Sequence, residues 1–348
     1  MDCDPSNQFA KYCLHNKMRK ALLVCYVSSE IGIGHLSRLL ALANTLKKDN
    51  KVILDFLIFG DLIKKKELDK FKVHNFSLDS DFVAIVNKIS EINNFDLLIF
   101  DIYQNQKISK LHELLIKLKQ RNICIIGIDS LIEYCEILDL IWIPSFNFKH
   151  SKYINSKSLL RSGWDTFLIQ KRFQHKKWSP GSKVLILTGG SDISNLGKTL
   201  PSQLDQILDN NSELHWVKGP LSKDPNLPEK CRLKWTIHDS PQTLDELIVQ
   251  SNYAITVFGI SFFEVLQYGV PSVVFSPYNN KDNEELEALS KQEVAMIANN
   301  SKLAVEGLFK LMNNDEIAKK YSVNALKKMS INGTKNLSRE IYSLLNIK

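Results

Sequence analysis

"ALLVCYVSSEIGIGHLSRLLALANTL", residues 21–46, decides how the chain reads. Ala21 to Val27 is a nearly unbroken apolar run, as expected of a strand covered on both faces in a parallel sheet. Leu36 to Leu46 repeats leucine at helical spacing, and Gly32 and Gly34 supply the turn between the two. Strand, glycine turn and helix together are the opening unit of a doubly wound α/β domain, in which ligands bind at the carboxyl ends of the strands. His35 therefore stands at a functional edge, where neither a turn nor a helix start requires an imidazole.

The alternation continues along the chain. "VILDFLIF", "FDLLIFD", "ICIIGIDS" and "DLIWIPSF" read as strands, with "DFVAIVNKISEIN" (Asp81 as its N-cap) and "ISKLHELLIKLKQRN" as the helices between them. From about His150 to Ser182 the pattern gives way to polar, Lys-rich sequence with Gly163, Pro180 and Gly181. It then resumes with the strands "KVLILTGG", "SELHWVKG", "YAITVFG" and "VPSVVFSP". The helices "LGKTLPSQLDQILDN", "LDELIVQS" and "SFFEVLQYG" alternate with them, and further helices run to "NLSREIYSLLNIK". The expected architecture is two doubly wound, Rossmann-like α/β domains over residues 19–163 and 183–348, joined by a linker at 164–182. Residues 1–18 are expected to form a disordered extension, and the last helix to pack back on the first domain. Two such domains put a ligand site in the cleft between them.

Composition narrows the classes of function. The 348 residues are 44% hydrophobic and 24% charged, enough to bury two cores. The formal charge of +7 is spread out, with Lys64–Lys66 the longest basic run, and no Arg-rich arm or aromatic RNA-binding signature accompanies it. This argues for mild steering of a small anion and against a nucleic-acid partner. The six cysteines form no C-x-x-C pair, and the eight histidines show no metal spacing, so neither a metal nor a cofactor is expected. With no signal-peptide pattern and no apolar run near 20 residues, the expectation is a soluble, cytoplasmic protein without a transmembrane segment.

Each candidate residue carries two readings. His35 is either a solvated first-turn residue or a base projecting into the cleft, with Gly34 letting a ligand come close. Arg38, one turn on, is either an exposed surface arginine or an anion contact. In "LTGGSDISN", Gly189 and Gly190 expose backbone N–H groups before a helix, which suits a phosphate. Asp192 there is an N-cap or a ligand to sugar hydroxyls. In "TVFGISFFEVLQYGVPSVVF", Gly259 and Ser261 mark a second phosphate-sized turn. Glu264 either complements its helix dipole or binds a ribose diol. Asp101, Tyr103 and Asp129 end strands of the first half, where carboxylates cap helices or serve a site.

Taken as a set, these motifs resemble a known family. "GIGHLSRLLALANTL" is similar to the Gly-x-Gly-His-x-x-Arg opening of the UDP-sugar hydrolases of pseudaminic acid biosynthesis and their spore-coat polysaccharide relatives. "DIY", "GID", "GWDTFLIQKRF", "TGGSDISN" (through Asn195) and "GISFFEVLQYGVPSVV" resemble that family's later motifs, in the same order, as far as Phe275. The resemblance implies the GT-B architecture and a UDP-activated acetamido sugar in the cleft. It also implies that His35 activates water at the anomeric carbon, releasing UDP with inversion. Ser130, Phe258, Ser261 and Phe167 depart from the family pattern. These departures bear on sugar specificity and leave open a GT-B glycosyltransferase with a sugar or lipid acceptor, or a non-catalytic nucleotide-sugar-binding protein.

Overall fold

A computed structural model describes residues 18–102, 108–149, 158–278 and 281–347. The chain forms two all-parallel sheets. In the first, β1 (Arg19–Val27), β2 (Val52–Gly60), β3 (Lys72–Phe76), β4 (Leu97–Asp101), β5 (Cys124–Ile128), β6 (Leu140–Ile143) and β7 (Leu159–Ser162) are ordered β3-β2-β1-β4-β5-β6-β7. In the second, β8 (Lys183–Leu187), β9 (Glu213–Lys218), β10 (Lys234–Asp239), β11 (Tyr253–Val257), β12 (Ser272–Phe275) and β13 (Met296–Ile297) are ordered β10-β9-β8-β11-β12-β13. The strand order therefore reverses between β1 and β4 in one sheet and between β8 and β11 in the other. These are the two switch points where a doubly wound sheet opens a crevice.

Helices cover both faces. On one face of the first sheet lies α1 (Gly34–Asp49), whose Leu36, Leu39, Leu42 and Leu46 are fully buried against Leu23, Cys25, Phe56 and Ile99. The other face is covered by α2 (Phe82–Asn93) and α3 (Leu111–Gln120). Asp81 caps α2, its carboxylate accepting from Ala84 N (3.0 Å). Burying a leucine of this kind contributes about 1.5–3 kcal/mol, so these continuous apolar runs dictate a two-faced sheet.

The second sheet carries α4 (Leu200–Ile207), α5 (Asp245–Gln250) and α6 (Ile260–Leu266). Then come α7 (Asn283–Ser290), α8 (Ser301–Met312) and α9 (Asp315–Lys328). The last helix, α10 (Gly333–Leu344), leaves this domain and inserts Leu337 and Ile341 into the α1 side of the first core. The outward crossing is equally integrated. Leu168 packs into the first core, while Phe167 and Ile169 pack with Phe262 and Phe263 of α6, the Phe167 and Phe263 rings stacking at 3.9 Å.

Four strands differ from the sequence reading, which did not mark β3, β7, β10 or β13. In particular β7 falls inside the polar stretch that reads as the start of the interdomain connection. The helix expected directly after Gly190 also differs. A single 3₁₀ turn (Leu196–Lys198) comes first and α4 begins only at Leu200, so no α-helix starts directly after Gly189 and Gly190.

Candidate functional site at the interdomain cleft

The two switch points face each other across a cavity of about 280 Å³. Its first-domain wall comes from the turn before α1 and from α1 itself, through Ile33, Gly34, Ser37 and Leu40, with Ile63 and Lys65 from the loop after β2. Its second-domain wall is made by Gly189, Gly190 and Ser191 after β8, Ser240 to Gln242 after β10, and Gly259, Ser261 and Glu264 after β11. A side chain added at Gly34 meets nothing within 4 Å, so that position leaves the cavity open. Gly190 is glycine for the opposite reason: a Cβ there would stand 2.6 Å from Ile33 of the facing domain.

Beside this cavity, the first domain carries a buried polar network. His35 Nδ1 lies 2.6 Å from Asp101 Oδ1. Arg38 donates to the same carboxylate through Nε (2.9 Å to Oδ2) and Nη2 (2.6 Å to Oδ1), and through Nη1 to Asp129 Oδ2 (3.0 Å). The Asp101 side chain has no exposure, and Arg38 and His35 keep only 13% and 15%. Burial alone raises a carboxyl pKa, but the Arg38 charge, the His35 charge and their hydrogen bonds hold Asp101 below the usual range. Asp101 is therefore an anion that accepts from His35. Arg38 Nη2 also lies 3.1 Å from His35 Nδ1, yet it already donates to Asp101. The geometry thus places a proton on Nδ1, so that in the neutral imidazole the lone pair is on Nε2.

Three of the sequence candidates are engaged within the chain itself. Asp101, expected to bind substrate, is sealed beneath His35 and holds its ring. Arg38, expected as an anion contact, has its guanidinium engaged by two carboxylates. Asp192 takes the capping alternative, its two oxygens accepting from Leu196 N (2.9 Å) and Gly197 N (2.8 Å). Asn195 is exposed in a left-handed turn and does not line the cavity. Tyr103 lies outside the described residues.

The second-domain residues Gly189, Gly190, Gly259, Ser261 and Glu264 do converge on the cavity, as Gly34 does from the other side. Among the hydrogen bonds of the described residues, none engages the N–H of Gly189, Gly190, Ser191, Gly259 or Ser261. Nor does any engage the Glu264 carboxylate. Burial, and then the charge of Asp245, push its pKa up to about 7 against the opposing pull of Lys65 and Arg172.

A set of residues with no sequence signal surrounds Glu264. Arg172, in the connection between the domains, bridges Glu67 of the first (2.6 Å) and Asp245 of the second (2.5 Å). Asn44 of α1 donates to Glu67 and to Gln170. These residues come from loops and helix flanks far apart in sequence, and only the tertiary contact defines them.

No known protein family's profile matches the chain. An uncharacterized protein of Methanocaldococcus jannaschii is 29% identical over 290 residues, which are 75% of this chain and 56% of that protein. The match thus spans just over half of that relative's length. Solved structures share the architecture. MurG of Acinetobacter baumannii is 12% identical with a TM-score of 0.59, covering 93% of this chain and 99% of that one. The fold is GT-B. UGT2 of Phytolacca americana, solved with UDP-2-fluoroglucose and pterostilbene, gives a TM-score of 0.63 at 14% identity, covering 93% and 99%. MnaA of S. aureus, solved with UDP, gives 0.60 at 11% identity, covering 95% and 98%. At these identities the likeness concerns the fold. Among the described residues, no helix is long and apolar enough to cross a membrane.

Proposed function

We propose that this protein hydrolyses a UDP-activated acetamido-deoxy sugar at its anomeric carbon, releasing UDP, in the biosynthesis of a nonulosonic acid or another surface glycan. The observation that carries the reading is the His35–Asp101 contact of 2.6 Å in the first turn of α1, beside a cavity lined by unengaged backbone donors. Asp101 fixes the imidazole tautomer, and Nε2 takes a proton from water as the water oxygen bonds to C1. The bond from C1 to the diphosphate oxygen breaks, and UDP leaves with the electron pair. The N–H groups at 189–191 and 259–261 are the candidates to receive the negative charge that gathers on the diphosphate. Arg38 acts through Asp101 and has no assigned contact with substrate. The ribose hydroxyls are assigned to Glu264, whose lack of a partner and raised pKa fit a carboxylate that is completed by a ligand. The sugar class rests on the motif resemblance and the nucleotide on the GT-B fold.

The test is to incubate the protein with UDP-acetamido sugars in ¹⁸O-enriched water, without acceptor, and follow UDP. Expected is acceptor-independent release with the label on the sugar and none on UDP. Release only after a sugar or lipid alcohol is added assigns a transferase instead. Binding of the nucleotide sugar without release under either condition assigns a non-catalytic binding protein.

A further inference from the structure

A second void, of about 750 Å³, lies on the other face of the first sheet and opens between the N-terminal ends of α2 and α3. Tyr26, at the end of β1, forms its floor. The residue is 1% exposed and its ring packs against Phe59 and Phe82, while its hydroxyl makes no hydrogen bond among the described residues. Burial raises the pKa of this hydroxyl, so it stays protonated and able to donate.

The walls restrict what can meet that hydroxyl. The lining carries Asp79, Asp81 and Glu113 together with Lys110 and Lys117, and Asp81 keeps its charge while it caps α2. Three carboxylates interspersed with two ammonium groups disfavour an anion and leave too small a net charge to select a cation. Ser80 and Asn87 add groups that both donate and accept, and Leu78 and Val83 add apolar surface. A purely apolar ligand would leave the Tyr26 hydroxyl unpaired. A neutral molecule with many hydroxyls and an apolar ring face meets every condition. We propose that this void is a binding site for a neutral saccharide, with one of its hydroxyls on Tyr26. The 28–33 loop divides the site from the interdomain cavity. Ile31 in that loop packs on the aromatic cluster beneath the saccharide site and also lines the cavity. The two sites are thus neighbours through one loop, and a ligand in one leaves the other free.

The experiment is saturation-transfer NMR on the full chain with glucose, N-acetylglucosamine and maltose, with saturating UDP and again without it. The paired titrations tell a failure of nucleotide binding apart from a failure of this site. At least one saccharide is expected to bind with UDP present. Tyr26→Phe, which keeps the ring packing, should weaken it roughly 3- to 10-fold, as for one hydrogen bond. Ala84→Trp, from the exposed first turn of α2, should fill the void and abolish binding, with the circular dichroism and UDP affinity of the wild type retained. Absence of binding by all three saccharides overturns the proposal, as does binding that survives Ala84→Trp or is unaltered by Tyr26→Phe.

Discussion

The carboxyl edges of the two sheets share one strand order and differ in how their polar groups are used. At the β1/β4 edge the side chains are mutually engaged: Asp101 accepts from His35 and from Nε and Nη2 of Arg38, whose Nη1 reaches Asp129. At the β8/β11 edge the cavity is lined by backbone N–H groups and by Glu264, which have no hydrogen-bond partner among the described residues. The first edge is complete before any ligand arrives, so its groups are held where chemistry needs them. The second is completed by what binds. Its free donors and its carboxyl near neutrality give a ligand interactions that the folded chain does not supply to itself.

The comparison breaks most visibly in turnover. On the proposed function, His35→Ala should lower the rate of UDP release roughly 10²- to 10⁴-fold, as for loss of a general base. Its UDP affinity, measured by calorimetry, should remain that of the wild type. A variant with the wild-type rate removes His35 from the reaction.

In stability the edges should separate next. Asp101→Ala leaves Arg38 buried with one carboxylate fewer, which should cost about 3–5 kcal/mol in chemical denaturation. Glu264→Ala breaks no hydrogen bond and should cost far less in the same assay. Equal losses would mean that the two edges are not built differently.

Glu264 also sets a pH signature. Its folded-state pKa of about 7 lies above the ordinary value of 4.5, so the folded protein binds the proton more tightly than the unfolded chain. The stability this gives is full below pH 4.5 and is lost as pH rises through 7, by about 3 kcal/mol. Glu264→Gln should abolish that slope, leaving the variant relatively more stable at pH 8 than at pH 5. In the wild type, UDP binding should strengthen as pH rises through 7, because the ribose needs the carboxylate. Parallel pH profiles for the two proteins would remove Glu264 from the nucleotide site.

The smallest effect belongs to the seam between the edges. Gly190→Ala sets a methyl against Ile33 and should destabilise by about 1–3 kcal/mol. Ile33→Ala in the same chain should relieve part of that loss. Additive effects of the two changes would show that the pair does not meet across the cleft.

What the sequence revealed follows from where each element sits. The central strands were legible because they are apolar on both sides, as in "ALLVCYV" and "KVLIL". The four unmarked strands, β3, β7, β10 and β13, are the outermost strands of the two sheets. An edge strand has one neighbour, keeps half its length wet and loses the apolar run, as "LLRS" and "KWTIHD" do. In the site, the glycines and Glu264 were legible as local turn and helix-start chemistry. Asp101 and Arg38 were noticed one by one, but their mutual contact was not, because the partners of Arg38 lie 63 and 91 residues away in sequence. The Glu67–Arg172–Asp245 bridge has no local pattern at all.

The return of α10 to the first domain has a mechanical consequence. The chain passes between the domains twice, outward through Thr166 to Ile169 and back before α10. The two passages touch at Gly333, where even a methyl group would strike the Phe167 carbonyl oxygen. Two covalent tethers pinned together form a single pivot. Such a joint holds the domains together at two points of the chain, so that unfolding one of them pulls on the other from both sides.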